Sequence, residues 1–429
     1  MSNSSKGGNL GFASVWSLTA GGMVGGGIYT ALGVVVAVAM QWSWLSFAIA
    51  GIIAITSAYS YVKLANKFEE SGGAFEYLRD INLNGIAGSL SWLLVVGYVL
   101  TIALYAFAFG HYISFAFDAG PWLTRVLAIG IVALMIFLNL MGAGKLAIVE
   151  IIIVWANLIA LLILAIYGLS QWDSLQLMAG AEPKSIWSAP IGAAAIFVSY
   201  EGFQLLTYEY DEIKKPKKRL FPAVMSGVLF VVIIYIMVAL GAVMLAGALT
   251  TIDEKQVALA VAAKEGLGMP GFIMIIVAAG LATAAAINST LFSTAKLTAR
   301  VAKDGEMPYF FEHKNDNDVP DRSVIVIGVL AALLAILGSL STLVEAASLV
   351  FLFTFLSVNY IALKKFNSRK WIPMTGLIVG GIVLIILTAR LAIINPVSLA
   401  LLGGLGVIII FGRPAILAKI NKSDNYEKE

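Results

Sequence analysis

The chain has 429 residues, of which 60% are hydrophobic and 12% charged, and its mean hydropathy is +0.92. Soluble domains carry about 25% charged residues, so lipid rather than water must solvate most of this surface, and no soluble domain is expected. A net charge of +3 is too small for a chain of this size to point to nucleic acid, and without cysteine there is neither a disulfide nor a thiolate metal site.

The start, Met1 to Gly11, is polar and lacks the basic segment and cleavage pattern of a signal peptide. Apolar runs of about 20 residues or more, the length a bilayer requires, follow at 12–38, 43–63, 86–117, 124–141, 147–168, 188–212, 221–249, 270–300, 323–340, 343–363, 372–391 and 396–412. This predicts an all-α polytopic membrane protein of about twelve spans, forming one transmembrane domain over 1–429. The third and eighth runs exceed what a bilayer needs, so they tilt or project beyond it. Between spans, Thr250–Gly266 is expected to form a short surface helix. The mixed-charge stretch Lys303–Arg322 is expected to be partly ordered, and the polar tail 421–429 disordered.

Basic residues set the orientation. Of the 28 Lys and Arg residues, only Arg125, Lys184, Lys255, Lys264 and Arg390 fall on the side opposite the N-terminus, and Lys296 lies within the eighth span. Both termini are therefore expected in the cytoplasm and the protein in the cell membrane.

Two spans are unusual. Residues Gly21 to Gly27 read Gly-Gly-Met-Val-Gly-Gly-Gly in the middle of the first. Five glycines in seven residues weaken a helix, each by about 1 kcal/mol relative to Ala. Unwound backbone at membrane depth is tolerated only against protein or a water-filled cavity. One reading is thus a helix broken around a small ligand. The other is a glycine face for close helix packing, because Gly21/Gly25 and Gly22/Gly26 also satisfy the G-x-x-x-G spacing. Five spans later, Ser199-Tyr200-Glu201-Gly202-Phe203 interrupts the sixth span with a charge and a glycine. Two interrupted helices at corresponding places in two halves point to an inverted-repeat transporter with its site near the midplane.

At these residues the chain resembles the amino acid–polyamine–organocation permeases. Gly25-Gly26-Gly27-Ile28-Tyr29 is similar to their first-helix glycine motif, and Ser71-Gly72-Gly73-Ala74-Phe75-Glu76-Tyr77 to the signature before their third helix. Asn139-Leu140-Met141-Gly142 resembles the end of their fourth helix. Gly202-Phe203-Gln204, followed by Asp211-Glu212-Ile213-Lys214-Lys215-Pro216, resembles their sixth, and Ala302-Lys303-Asp304-Gly305-Glu306-Met307-Pro308 the end of their eighth. The resemblance implies a leucine-transporter-type fold. Its inverted repeats would be 12–168 and 188–363, with two further helices at 372–412. It also implies secondary transport of amino acids or related amines by alternating access.

The N-terminus of a broken half-helix holds anions well, so Gly25, Gly26, Gly27 and Ile28 are placed to receive a carboxylate. Carbonyls of Thr19, Gly21, Gly22 and Tyr200 are candidates for an ammonium group. Glu201 is the sharpest single residue, because a charge near the bilayer centre costs about 2.5–3.5 kcal/mol on insertion scales. It pairs with a cationic substrate group, or carries a transported proton, or bonds to freed backbone amides. In the family this position is usually uncharged, while the family's downstream Glu is here Gln204.

Asn157 stands where parts of the family carry Lys in place of a sodium ion. Ala284 and Ala285 stand where sodium-coupled relatives present hydroxyls. With both devices absent, exchange or proton coupling through Glu201 is expected, with Asn157 and Glu201 as the ion-coupling candidates. Tyr98, Tyr105 and Tyr112 form one stripe of the third span; Tyr105, the deepest, is a cavity candidate and the others are core packing. Phe197, Tyr200, Phe203 and Phe351 are candidate aromatic lids. Asn288 and Thr290 are polar at site depth, lining or packing. Lys296 is expected to reach toward the cytoplasm, and Glu150 and Lys145 to form part of an inner gate.

His111 and His313 have no second ligand at useful spacing, so no metal is expected, and no cofactor is expected either. An uncoupled facilitator or channel and a nutrient sensor are the competing classes. The chain lacks a Thr-Val-Gly-Tyr-Gly filter, and it lacks the His-Glu-x-x-His and Gly-x-Ser-x-Gly motifs of an enzyme.

Overall fold

The structure, a computed structural model, describes residues 10–69, 73, 84–118, 120–142, 147–413 and 417. Most of the Ser71–Tyr77 motif, Lys145 and the tail 421–429 lie outside the described residues.

The first span is two helices, α1 (Phe12–Val24) and α2 (Gly27–Ala39). Gly25 still donates to the Gly21 carbonyl at 2.8 Å, but Gly26 leaves the helical region at φ −141° and ψ −12°. The interruption is therefore narrower than the glycine run. Gly21 and Gly22 stay helical within α1, which runs on to Val24. After α3 (Ser43–Phe68) come α4 (Asn84–Ala116), α5 (Pro121–Leu140) and α6 (Ala147–Ser170).

The sixth span opens as α7 (Ser188–Ile196), tightens into a 3-10 turn at Phe197–Tyr200, and then loses helical geometry. Glu201 is extended at φ −67° and ψ 149°, and Gly202 sits at φ +126°. A positive φ of this size is readily adopted only by glycine. The span resumes as 3-10 helix over Phe203–Glu212.

The remaining spans are α8 (Pro216–Ala246), α10 (Ala258–Lys303), α11 (Asp321–Leu337), α12 (Leu340–Lys365), α13 (Trp371–Ile394) and α14 (Pro396–Val407), with the six-residue α9 (Ala248–Asp253) before α10. Among the described residues nine helical stretches are long and apolar enough to cross a membrane, the first of them, Phe12–Phe68, holding α1, α2 and α3, and Pro396–Gly412 is a shorter apolar helix. The chain is an all-α polytopic membrane protein.

Thr250–Gly266 departs from the expected surface helix. It holds the end of α9 and the first turns of α10, and Ala258–Ala263 is buried. The run Val257-Ala258-Leu259-Ala260-Val261-Ala262-Ala263 is apolar, so it turns inward. A kink at Gly268, φ +67°, with Pro270 beyond it, then redirects α10 across the membrane.

The long α4 packs against α5, α10, α11 and α12, while α8 packs against α1, α3 and α6. The outward faces are apolar. On α13, Met374, Ile378, Ile382 and Ile385 recur at helical spacing and are about half or more exposed. In water such a stripe would be costly; a bilayer solvates it.

Candidate functional site at the two helix breaks

The breaks face each other with backbone against backbone. A methyl group added at Gly202 would overlap the Gly22 carbonyl, and one at Gly27 would overlap the Ser199 carbonyl oxygen. The glycines are thus needed for close approach as well as for the break. The other three also meet distinct neighbours. Gly21 lies against Val154 of α6, Gly25 against Ala286 of α10, and Gly26 beneath the Tyr105 ring of α4. The Gly21 carbonyl is occupied by the Gly25 N–H. Tyr105 and Glu201 are brought together with Gly26, while Ile28 is fully buried on the first turn of α2.

Helix α2 begins at Gly27 with no side-chain cap. Its first N–H groups therefore need a partner other than the helix itself. Gly26, Gly27 and Ile28 stand at this end of α2, whereas the N–H of Gly25, the fourth residue of the carboxylate expectation, already donates to the Gly21 carbonyl.

Glu201 is 1% exposed. Gln204 Nε2 donates to its Oε1 at 2.8 Å, and the Tyr105 hydroxyl donates to its Oε2 at 3.4 Å. Gln204 also accepts from the Gly202 N–H at 2.9 Å and reaches the Tyr98 hydroxyl at 3.3 Å. Tyr98 in turn meets the Tyr208 hydroxyl at 2.8 Å. The partners of the carboxyl are neutral groups, and no ion pair to it occurs among the described residues. A charge at this depth needs a balancing partner.

The aromatic candidates surround the breaks without sharing one surface. Phe197 and Phe203 both pack on Phe355 of α12, with ring centroids 5.5 and 5.2 Å away. Phe351 lies between Tyr98 and Phe355. Tyr200 turns instead toward Phe47 and Tyr235, and its hydroxyl donates to the Phe47 carbonyl at 2.9 Å. Asn157 accepts a short hydrogen bond from the Tyr29 hydroxyl, tying α6 to α2.

On α10, the stripe that faces Gly25 carries Ala282 and Ala286. Thr290 continues that stripe one turn on. Asn288 points elsewhere: it accepts from Asn139 at 2.9 Å and donates to Glu150 at 3.2 Å. Lys296 approaches Glu212 at 3.5 Å and Glu209 at 3.8 Å, so it is held by the second half of the sixth span.

Tyr235 of α8 is the residue that sequence reading missed. Its hydroxyl lies 2.7 Å from the Met23 carbonyl and 3.1 Å from that of Ser199, touching both breaks. A signal existed, since Tyr235 is a lone hydroxyl in the run Val231-Val232-Ile233-Ile234-Tyr235-Ile236.

A bundle of spans with two apposed, uncapped helix breaks around one buried carboxyl defines the class of broken-helix membrane transporters. Comparison with known proteins agrees. The protein belongs to the amino acid permease family, whose model matches residues 10–415. This is a family of permeases and not of enzymes.

An uncharacterized protein of Methanocaldococcus jannaschii is 32% identical over 384 residues, covering 87% of this chain and 88% of its own length. The inner membrane transport protein YbaT of Escherichia coli K12 is 28% identical, covering 96% and 97%. The mitochondrial cationic amino acid transporter 3 of Arabidopsis thaliana is 24% identical, covering 85% of this chain and 63% of its own. Among solved structures, that of MhsT in complex with L-phenylalanine superposes with a TM-score of 0.61 at 17% identity, covering 87% of this chain and 97% of that one. This shows a shared fold.

Proposed function

We propose that the chain is a secondary active amino acid transporter of the cell membrane that works by alternating access. Both termini lie in the cytoplasm, and the inverted repeats span 12–168 and 188–363. The substrate carboxylate docks on the uncapped N–H groups of Gly26, Gly27 and Ile28. Its ammonium group meets carbonyls at the opposing break, chiefly that of Tyr200. Rocking of spans 1, 2, 6 and 7 against spans 3, 4, 8 and 9 exchanges access between the two faces.

The observation that supports this reading is the close backbone packing of the two interrupted spans, Gly22 against Gly202 and Gly27 against Ser199. Glu201 is the coupling group. Its neighbours Gln204 and Tyr105 supply no cation, so a transported proton balances it. Facing Gly25, α10 presents the methyl group of Ala286 and the backbone carbonyl of Ala282, so no side-chain hydroxyl is offered to sodium there. A second reading, in which the ammonium of a cationic amino acid balances Glu201, draws support from the names of the Arabidopsis relatives.

Uptake of a labelled amino acid panel into proteoliposomes, with proton and sodium gradients imposed separately, tests both. Saturable uptake driven by an inward proton gradient and abolished in Glu201→Gln, with exchange retained, is expected. Flux that tracks voltage without saturation would show a channel instead. Cationic substrates moving without regard to the proton gradient would establish the second reading.

A further inference from the structure

On the face of the bundle opposite the start of α1, residues of α2, α7, α12 and α13 and two connecting segments enclose a cavity of about 420 Å³. Val34, Ala37 and Val38 of α2 form part of its wall, above the break. At 1.5 Å per residue, Ala37 lies roughly 15 Å along α2 from Gly27, so the cavity stands over the carboxylate site. Five basic residues fall on this side of the whole chain, and three of them, Lys184, Lys255 and Arg390, line this one cavity. No Asp or Glu lines it.

The three cations are fixed in different ways. Lys184 is anchored through its backbone: its carbonyl accepts from Gln41 at 2.7 Å and from Trp42 at 3.0 Å, and its ammonium reaches the Ala37 carbonyl at 3.3 Å. Arg390 is paired with Glu345 of α12 through Nε at 3.0 Å, which leaves its other nitrogens for another acceptor. Lys255 is placed by its backbone, which packs on Gly33 of α2. It has no carboxylate partner among the described residues. Of the hydroxyls, Ser188 already bonds to the Ser185 carbonyl at 2.7 Å, while Ser341 lines the cavity. Glu345 offsets one positive charge; two remain against none.

We infer that this cavity is an outer collecting site for carboxylates, and that the cargo it gathers is an anionic, dicarboxylic amino acid. The inference rests on the proposed function for its orientation and for the carboxylate site beneath. A cleft lined by one sign of charge raises the local concentration of the opposite sign by about 10- to 1000-fold. It also repels the side-chain ammonium of a cationic amino acid. An anionic cargo brings no positive side chain to Glu201, so its passage requires a proton there, and the two sites become parts of one mechanism.

The chain has no cysteine, so Ser341→Cys places a single thiol in the cavity, and Val38→Cys provides an independent second position. In phosphatidylcholine nanodiscs at low salt, each thiol is titrated with an anionic sulfonatoethyl and a cationic trimethylammonioethyl methanethiosulfonate. Rates are normalised to those of the same reagents with free cysteine. The anionic reagent is expected to be favoured about tenfold or more at both positions. The preference should collapse toward one in Lys184→Gln/Lys255→Gln, and in about 0.5 M salt, where the Debye length is only a few ångströms.

L-Glutamate and succinate are expected to slow the labelling, while equal chloride, L-alanine and L-lysine do not. A normalised preference at or below one overturns the inference, as does protection by chloride equal to that by L-glutamate. These readouts need no transport, so they stand or fall separately from the transport assay.

Discussion

The two helix breaks do the same thing to the backbone and opposite things with side chains. In the first span the chain stops being helical for about one residue, at Gly26, and everything it presents is peptide. In the sixth the disturbance runs from a 3-10 turn through Glu201 and Gly202 into a second 3-10 segment, and it presents a carboxyl, an amide and aromatic rings. On the function proposed above, peptide groups at the first break would recognise what every α-amino acid shares, a carboxylate and its neighbouring ammonium. Side chains at the second would set what differs between cargoes: charge, size and any accompanying proton. In that mechanism one break is a constant grip and the other a variable one.

The sharpest way to break this division is at the point where the two meet. Gly202→Ala puts a Cβ at φ +126° and against the Gly22 backbone. The strain alone costs about 1–3 kcal/mol, and neither backbone has room to yield. The expected result is a lower melting temperature in detergent and no transport. A stable, active variant would show that the breaks separate more easily than this packing implies.

Glu201→Gln comes next. It keeps the shape of the side chain and removes its charge. Uptake driven by a proton gradient should disappear while counterflow exchange of the same amino acid persists. Loss of both together would place Glu201 in substrate binding rather than coupling.

A finer test uses Gly26→Ala, where the obstacle is the Tyr105 ring rather than backbone. A ring at the end of a side chain can give way, so stability should fall by no more than about 1 kcal/mol, while KM rises about tenfold. Combining it with Tyr105→Leu should recover part of the lost affinity. The non-additivity of this double-mutant cycle measures the contact directly. The smallest effect is expected from Tyr235→Phe. It deletes one hydroxyl shared by two carbonyls and should cost about 1 kcal/mol, visible as a modest rise in KM with kcat unchanged.

Much of this architecture was legible in the residues alone. Hydropathy located the spans because lipid imposes a length and a polarity that few other constraints mimic. Gly25–Gly27 and Glu201–Gly202 marked the breaks because glycine and a buried charge are expensive in a membrane helix without a reason. What stayed hidden was azimuth. Asn288 and Ala286 sit at nearly the same depth in α10, yet they lie about 200° apart around the helix. One meets Asn139 and Glu150, the other Gly25. Depth is a property of one helix and its sequence. Facing is a property of pairs of helices, and it is why Tyr235, six spans after the first break, escaped notice. The same limit applies to Thr250–Gly266, where an apolar run short enough to read as a surface helix proved to be buried against its neighbours.

Among the described residues, an isolated parallel bridge joins Leu10 to Ile213. The Leu10 N–H donates to the Glu212 carbonyl at 3.0 Å, and the Lys214 N–H donates to the Leu10 carbonyl at 2.9 Å. This stitches the entrance of the first span to the exit of the sixth. Any movement that swings one of those half-helices away on that side must drag the other with it or tear two stitches. On that side of this permease the two half-helices are therefore hung as a single leaf, with both breaks mounted on it.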